Sequence, residues 1–238
     1  MPVPNSALEK LIKGNGTWRV KVNRQLTLHY IYDPFCGWCY GAAPLLSEAA
    51  QLEGVKVVPH SGGMLSGEQA QLMSAEWREF VRPHEERIAA LSGQKFGAGY
   101  TEKAQFDYTV PLDSAPPSAA MIAAEEVAGA GLRMLKKLQI AYYVEGRPIA
   151  TREEILRNAS ELGLDTAKFA EAFDRTSRRI GEHFEETHRL LEQLRSQGYP
   201  TLAIEKNGVL RKLHLGQYFG KSDVFREALR QEMESTSP

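Results

Sequence analysis

The chain has 238 residues, with 29 Lys and Arg against 30 Asp and Glu and a formal net charge of −1. Acidic and basic residues are interspersed, which argues against nucleic acid or an anionic membrane surface as the main partner. No apolar run is long enough for a transmembrane helix, and the N-terminus lacks the apolar core and the cleavage site of a signal peptide. If this is the complete native chain, the sequence predicts a cytoplasmic protein.

The first elements predict a β-α-β unit. Residues 18–22 alternate between apolar and polar types and predict a short edge strand. Residues 26–32, LTLHYIY, predict a buried strand in which we expect His29 to be a hydrogen-bonded strand residue and not a catalytic one. An apolar helix with an internal Pro44 follows from about residue 38 to 52, and residues 55–60 predict a second strand, parallel to the first.

A long region of helical periodicity follows, from about residue 66 to 194. Its last helix is predicted at about residues 177–196, with His183 and His188 on its surface. Strand patterns return at residues 200–204 and 209–215, and the Asn-Gly pair between them favours a hairpin. We expect a final helix from residue 223, with Ser222 as its N-cap.

Cys36 and Cys39 are the only cysteines in the chain, and they lie where the first strand gives way to the first helix. Two intervening residues let both thiols occupy the first helical turn, within reach of each other. A lone C-x-x-C pair at a strand-to-helix junction is typical of a redox motif. Since the cytosol keeps thiols reduced, a disulfide between these two residues is expected to be transient and catalytic.

The two thiols are predicted to differ in role. The helix N-terminus favours an anion and should lower the pKa of Cys36, which makes it the attacking thiolate. Cys39, one turn further on, would then be the resolving thiol. Half of a zinc site is one alternative, although no second Cys pair is present to complete four ligands. A structural disulfide is another, but its loop is too short to stabilise the fold much.

Several segments resemble one family. The order β-α-β, helical block, α-β-β-α, with C-x-x-C at the first helix, resembles the thioredoxin fold, and Pro44 matches its helix-kinking proline. The segment at residues 199–201, Tyr-Pro-Thr, looks like its cis-proline loop. Residues 33–41, DPFCGWCYG, and 141–147, AYYVEGR, with Ile149, resemble cytosolic DsbA-like (FrnE-like) proteins. The 2-hydroxychromene-2-carboxylate isomerases and kappa-class glutathione transferases share this scaffold.

The resemblance implies an α/β thioredoxin fold with a large all-helical insertion. It assigns residues 1–63 and 177–238 to a discontinuous thioredoxin-like domain, and residues 64–176 to an inserted helical domain. It implies that Tyr199, Pro200 and Thr201 hold substrate, in part through the Tyr199 backbone. Trp38, between the two cysteines, is expected to be partly exposed and to contact substrate.

Three further residues near the motif have predicted roles. Asp33 is expected to end the strand, with a possible second role in modulating the thiols or relaying a proton. Phe35 and Tyr40 are expected to pack in the core. The Gly37-Trp38 dipeptide departs from the Gly-Pro of thioredoxins and the Pro-His of periplasmic DsbA, and it places no imidazole between the thiols.

The function predicted from these residues is a thiol–disulfide oxidoreductase of the protein disulfide oxidoreductase or isomerase type. We expect a redox-active Cys36–Cys39 disulfide, no metal and no bound cofactor. Expected partners are a thiol- or disulfide-containing protein or peptide, or glutathione, with no nucleic acid and no membrane, in a monomer or homodimer. The alternative is a glutathione-dependent isomerase or transferase, although those relatives typically carry Ser at position 36. A chaperone with a vestigial site is a third reading.

Overall fold

The computed structural model describes residues 25–235 and, of the preceding segment, the backbone of residues 12–14 and 17–19. The strands are β1 (Ile12–Gly14), β2 (Thr17–Arg19), β3 (Leu26–Tyr32), β4 (Val55–Ser61), β5 (Gln71–Leu72), β6 (Pro111–Leu112), β7 (Thr201–Lys206) and β8 (Val209–Leu213). The helices are α1 (Gly37–Ala49), α2 (Ala75–Ser92), α3 (Ala115–Ala128), α4 (Gly131–Tyr143), α5 (Arg152–Glu161), α6 (Thr166–Ser177), α7 (Ile180–Gln193) and α8 (Ser222–Glu234).

The central sheet has four strands in the order β4-β3-β7-β8. Strand β3 is parallel to β4 and antiparallel to β7, and β7 and β8 form an antiparallel hairpin. Asn207 and Gly208 form the hairpin turn with φ values of 52° and 79°, which is the backbone that an Asn-Gly pair favours. The predicted β-α-β unit and the predicted hairpin are both confirmed.

Strand β3 lies between β4 and β7 in the sheet, and both of its faces are buried. Leu28 and Tyr30 point to the side that α1 and α8 cover, and each is at most 1% exposed. Ile31 points to the opposite side, where Leu191 of α7 packs against it. A strand of this kind needs apolar residues at nearly every position, and the sequence LTLHYIY provides them.

Helices α3 to α6 pack into a separate hydrophobic cluster beside the sheet. Four alanines of α3 are completely buried, at positions 119, 120, 123 and 124. Their small side chains let α4 and α6 approach the helix closely. These helices lie in or next to residues 64–176, and the assignment of that segment to a domain of its own stays a prediction.

Some of the predicted boundaries were wrong. Helix α7 begins at Ile180, three residues later than predicted, because α6 continues to Ser177. Ser222 is the first residue of α8 and not its cap, and Lys221 occupies the N-cap without a side-chain hydrogen bond. Of the predicted strand at residues 18–22, positions 18 and 19 lie in β2, which pairs with β1 and not with the central sheet, and positions 20–22 lie outside the described residues.

Of the two histidines predicted on the surface of α7, His188 is exposed, as predicted, and His183 is not. His183 is half-buried and its Nε2 accepts a hydrogen bond from the Ser61 backbone N–H at 3.1 Å. His188 is exposed, but its Nε2 lies 2.7 Å from the carbonyl oxygen of Gly62. Both therefore fix α7 to the end of β4. His29 is a hydrogen-bonded strand residue, as predicted, with its ring nitrogens 3.0 Å from His60 Nε2 and 3.1 Å from Glu205 Oε2.

None of the helices in the described part of the chain is long and apolar enough to cross a membrane.

Candidate active site

The two cysteines lie at the N-terminus of α1, which follows β3 after a short turn. Cys36 is the N-cap residue, and its carbonyl accepts the backbone N–H groups of Cys39 and Tyr40 at 2.9 and 3.1 Å. Cys36 is 6% exposed and Cys39 is completely buried, and both thiols are free. The first turn of α1 therefore places the Cys36 thiol nearer to the surface than the Cys39 thiol, which lies one turn further inside.

The buried thiol is in an environment that opposes ionisation. Burial raises the pKa of Cys39, and the neighbouring Cys36 and the charge of Asp33 raise it further. Beneath it, the hydroxyl of the fully buried Tyr30 donates to the Cys39 carbonyl at 3.2 Å. A thiol of this kind stays protonated until a reaction partner comes into contact with it.

The loop between α7 and β7 reaches the Cys36 thiol. The Cys36 thiol donates to the carbonyl oxygen of Tyr199, with Sγ and O 3.5 Å apart, and the Tyr199–Pro200 peptide bond is cis, as predicted. Burial raises the pKa of the Tyr199 hydroxyl to about 12, and the charges of Asp33 and the cysteines contribute. Thr201 is only 5% exposed, and its Oγ1 donates to the Gly198 carbonyl at 2.7 Å, so its side chain closes this loop internally.

Asp33 is a fully buried carboxylate that joins three segments. Its Oδ1 accepts from the Phe35 backbone N–H and from the Ser114 hydroxyl, each at 2.9 Å, and its Oδ2 accepts from the Met64 N–H at 2.6 Å. Burial raises the pKa of Asp33 to about 6, although these hydrogen bonds lower it. The carboxylate thus ends β3 and connects it to α3 and to the loop after β4. It acts on Cys39 by charge.

Aromatic residues surround the motif. Phe35 and Tyr40 are 5% and 4% exposed and belong to the hydrophobic cluster, which confirms their predicted packing. Trp38 is only half-buried. Its ring makes an edge contact with Phe219, with centroids 5.5 Å apart, and the guanidinium carbon of Arg87 lies 5.7 Å from its ring centroid.

Helix α2 packs directly on the two glycines of α1. A Cβ atom at Gly37 would lie 3.0 Å from Ile88 Cδ1, and one at Gly41 would lie 2.9 Å from Ile88 Cγ2. Since Gly37 and Gly41 are four residues apart, they lie on one face of α1 and leave a groove that the completely buried Ile88 fills. This contact fixes Arg87, the preceding residue, beside Trp38.

A family model for the DSBA-like thioredoxin domain matches residues 27–230, which includes every element of this site. The chain belongs to the DsbA-like thioredoxin family. The predicted fold class, a thioredoxin fold with a helical insertion, is confirmed with it. Membership, together with the similarity to a disulfide reductase described next, supports an oxidoreductase.

Two solved structures of one protein are similar to this DsbA-like chain over most of its length. The cytosolic disulfide reductase DsbM from Pseudomonas aeruginosa is 45% identical, covers 87% of this chain and 98% of its own, and superimposes with a TM-score of 0.83. The same reductase with GSH is 44% identical, covers 88% and 100%, and gives a TM-score of 0.82.

A more distant structure shows the shared scaffold. A 2-hydroxychromene-2-carboxylate isomerase is 14% identical, covers 89% of this chain and 100% of its own, and has a TM-score of 0.53, so the likeness concerns the fold alone. A comparison with curated protein sequences found no match.

Helix α1 of this DsbA-like chain contains Pro44, and a side chain from outside the helix replaces the hydrogen bond that the proline removes. Pro44 has no N–H, so the carbonyl of Tyr40 cannot receive the usual i+4 hydrogen bond. The Gln94 side chain donates to that carbonyl instead, with Nε2 and O 3.0 Å apart, and the Tyr40 hydroxyl donates to the Lys95 carbonyl at 2.8 Å. The segment after α2 thus replaces the hydrogen bond that the proline removes.

Within the described residues, no three His, Cys, Asp or Glu side chains form a group that could hold a metal ion.

Sequence reasoning missed Arg87, Phe219 and Gln94. Each comes from outside the motif, from α2 and the segment after it or from the loop before α8, and each reaches the motif through tertiary packing. None has a local pattern that signals a role. Their positions follow from the register of α2 on the glycine face of α1, which the sequence of α2 does not specify.

Proposed function

We propose that this DsbA-like protein is a cytoplasmic disulfide reductase that uses Cys36 and Cys39 and takes its electrons from glutathione. The observation that carries the proposal is the unequal burial of the two thiols. Cys36 is 6% exposed and contacts the Tyr199 carbonyl, whereas Cys39 is completely buried with a raised pKa. Similarity to DsbM, a cytosolic disulfide reductase whose structure has also been solved with GSH, supports the direction of electron flow and the electron donor.

In the forward half-reaction, the Cys36 thiolate attacks one sulfur of a substrate disulfide. A Cys36–substrate disulfide forms and the other substrate sulfur leaves as a thiolate, which takes up a proton. Cys39 then loses its proton and attacks Cys36 Sγ. This step forms the Cys36–Cys39 disulfide and releases the second substrate thiol, so the substrate gains two electrons and two protons.

Glutathione returns the protein to its dithiol form. One glutathione thiolate attacks Cys36 Sγ, forming a Cys36–glutathione disulfide and releasing the Cys39 thiolate. A second glutathione thiolate attacks the glutathione sulfur of that adduct, which yields oxidised glutathione and the Cys36 thiolate. Tyr199 and the half-buried Trp38 lie beside Cys36, and we propose that both contact the substrate, the former through its backbone.

The Cys39→Ser variant tests the order of attack. We expect it to accumulate a mixed disulfide on Cys36 with a model disulfide substrate, because the resolving thiol is missing. The matched Cys36→Ser variant should form no such adduct, since its remaining thiol is completely buried. Mass spectrometry after acid quenching measures both. Full turnover by Cys39→Ser would contradict the dithiol mechanism and favour the glutathione-dependent transferase alternative.

The reduction potential of the Cys36–Cys39 pair tests the direction of electron flow. We expect a value near or below the cytosolic glutathione poise, about −220 mV or lower, when the pair is equilibrated with glutathione buffers. A value close to about −120 mV would instead indicate an oxidant.

A further inference from the structure

Arg87 is an exposed cation at the active site with no structural partner among the described residues. It forms no ion pair and no hydrogen bond to any described side chain or backbone group, whereas Arg82, five residues earlier on α2, pairs with Glu79 at 3.1 Å. Its guanidinium carbon lies over the ring of Trp38, 5.7 Å from the ring centroid. A guanidinium in this setting has free N–H donors.

The position of Arg87 is fixed by packing. The next residue, Ile88, is 1% exposed and fills the groove over Gly37 and Gly41 of α1. Helix α2 therefore cannot rotate without emptying that groove. Phe219 also contacts Trp38, with ring centroids 5.5 Å apart. The guanidinium is thus held beside the residue that separates the two cysteines.

The geometry points to Arg87 as the residue that recognises the carboxylate of an anionic thiol while its sulfur is bonded to Cys36. This inference rests on the proposed function and names a specificity determinant for its glutathione half-reaction. A guanidinium on an aromatic face keeps its outer N–H edge free, and that edge matches a carboxylate in a bidentate manner. Glutathione carries two carboxylates on a tripeptide-sized chain, which spans about 10 Å when extended.

The charge balance at this site supports the same ligand chemistry. Asp33, three residues before Cys36, is completely buried and holds three hydrogen bonds, so it cannot neutralise a cation at the surface. The exposed positive charge of Arg87 should therefore attract anionic thiols and repel cationic ones. A neutral thiol should be indifferent to it.

The rates of reduction by three small thiols of different charge distinguish recognition of a carboxylate by Arg87 from a purely structural role. The oxidised protein is reduced with glutathione (anionic), 2-mercaptoethanol (neutral) or cysteamine (cationic), and the rate is followed by trapping free thiols. The ratio of variant to wild-type rate is compared within each thiol, which cancels the intrinsic reactivity of that thiol. Arg87→Gln should lower the glutathione rate about fivefold, leave 2-mercaptoethanol within about twofold and not lower the cysteamine rate.

Further variants give the expected order. Arg87→Lys should keep most of the glutathione rate, and Arg87→Glu should lower it further while raising the cysteamine rate. Added salt should slow glutathione reduction in the wild type more than in Arg87→Gln. Arg82→Gln, a matched change on the same helix, should leave all three rates unchanged.

Two results would overturn the inference while leaving the proposed function intact. One is an unchanged ratio of glutathione to 2-mercaptoethanol rates in both Arg87→Gln and Arg87→Glu. The other is an equal loss of rate for all three thiols, which would show that Arg87 acts only by supporting Trp38. If the disulfide forms in the wild type and glutathione does not reduce it, the proposed electron donor is wrong and the inference fails with it.

Discussion

Asp33 combines a structural role with an electrostatic one. Three hydrogen bonds hold its carboxylate in place, and its burial raises the pKa to about 6, so it is mostly ionised at neutral pH. In that state its charge opposes the formation of the Cys39 thiolate. The resolving step should therefore depend on pH in two ways, through the ionisation of Cys39 itself and through that of Asp33.

The first prediction is that Asp33→Asn removes one inflection from the pH profile of the resolving step. In the wild type the rise in rate should flatten as Asp33 ionises near pH 6, because the new charge raises the pKa of Cys39. In the variant the rise should be uninterrupted, and the rate at pH 8 should be roughly threefold higher. Stopped-flow release of substrate thiol from a preformed Cys36 adduct measures this step.

Ser114→Ala is the control for this experiment, since it removes one hydrogen bond to Asp33 and keeps the charge. We expect the inflection to persist in it and to move to a higher pH, because the lost hydrogen bond lowers the pKa of Asp33 in the wild type. A profile for Asp33→Asn that keeps the wild-type inflection would show that another group is responsible.

His60 is the second titratable group whose surroundings oppose charge. His60 belongs to β4 and lies close to His183 of α7. Its ring is hydrogen-bonded to His29 of β3, and His29 in turn contacts Glu205 of β7. Burial lowers the pKa of His60 to about 4, and the two histidines lower it as well. In the unfolded chain its pKa is about 6.5, so the unfolded state takes up the proton first as the pH falls.

The second prediction follows from the lowered pKa of His60 in the folded state. His60 contributes stability above pH 6.5 that is lost as the pH falls towards 4, by about 2 kcal/mol at pH 4.5. Asp33 acts in the opposite direction, because its raised pKa makes the folded state bind a proton more tightly between about pH 6 and 3.8. The wild type should therefore show a weak net dependence from these two groups, and a variant of either should reveal the other.

His60→Gln should lose about 2 kcal/mol less stability than the wild type between pH 7.5 and 4.5, measured by urea unfolding at both values. The exposed His214→Gln is the matched control and should follow the wild type. Parallel behaviour of His60→Gln and the wild type over this range would rule out the buried histidine as the cause.

At the scale of elements, the segment after α2 completes the hydrogen bonding of α1. Pro44 removes a hydrogen bond from the helix, and Gln94 replaces it from outside. The third prediction is that Gln94→Ala destabilises the protein by about 1 kcal/mol, since it leaves the Tyr40 carbonyl without a donor. In a Pro44→Ala background, residue 44 supplies the missing N–H, so the same substitution should cost close to nothing.

A double-mutant cycle of unfolding free energies measures that coupling. Gln51→Ala is a suitable control, because Gln51 also donates to a helix carbonyl, that of Ser47, but at an exposed site. Its effect should be the same in both backgrounds. Equal costs of Gln94→Ala with and without Pro44 would contradict the compensating role.

The sequence determined the elements of the thioredoxin core well and the site only in part. Strand β3 was predicted at its observed bounds, because apolar, β-branched and aromatic residues fill a strand that is buried on both faces. Cys36, Cys39 and the cis-proline loop were found because their local spacing is informative. Arg87 was not found, because its position depends on how α2, a helix outside the motif, packs on α1.

The histidines illustrate the same limit. His183 has the appearance of a polar residue on a solvated helix face, since its neighbours on α7 are mostly charged. Its nitrogen nevertheless accepts the Ser61 N–H at the end of β4. Helical periodicity identifies which face of α7 is apolar, but it does not report which polar residues at the boundary of that face meet a backbone group of the sheet.

At the scale of the whole molecule, the site joins segments from the full length of the chain. The ring of Tyr199 lies against Gly62, where a Cβ atom would be 2.0 Å from the Tyr hydroxyl, and the Gly62 carbonyl lies 2.7 Å from His188 Nε2. The end of β4, helix α7 and the cis-proline loop therefore meet at one glycine. A side chain there should displace Tyr199, whose carbonyl contacts Cys36.

The fourth prediction is that Gly62→Ala slows disulfide exchange about tenfold, because misplacement of the loop beside Cys36 disturbs the alignment of the reacting sulfurs. Tyr199→Val should restore much of the rate in the double variant, since it makes room for the new methyl group and keeps the backbone. Gly181→Ala on α7, where a Cβ would meet no atom within 4 Å, should leave the rate unchanged. A wild-type rate in Gly62→Ala would show that the loop tolerates the displacement.

The packing of Ile88 against Gly37 has a consequence for how such enzymes diversify. The dipeptide between the cysteines is where related dithiol proteins differ, yet here its first position is covered by the insertion, with only 3.0 Å available between an added Cβ and Ile88 Cδ1. A larger residue at position 37 would displace the Ile88 side chain, and a smaller residue at position 88 would relieve that contact. We therefore expect an exchange of the dipeptide to disturb Ile88 and its neighbour Arg87, and so to affect both the chemistry of the thiols and the thiol preference proposed for Arg87.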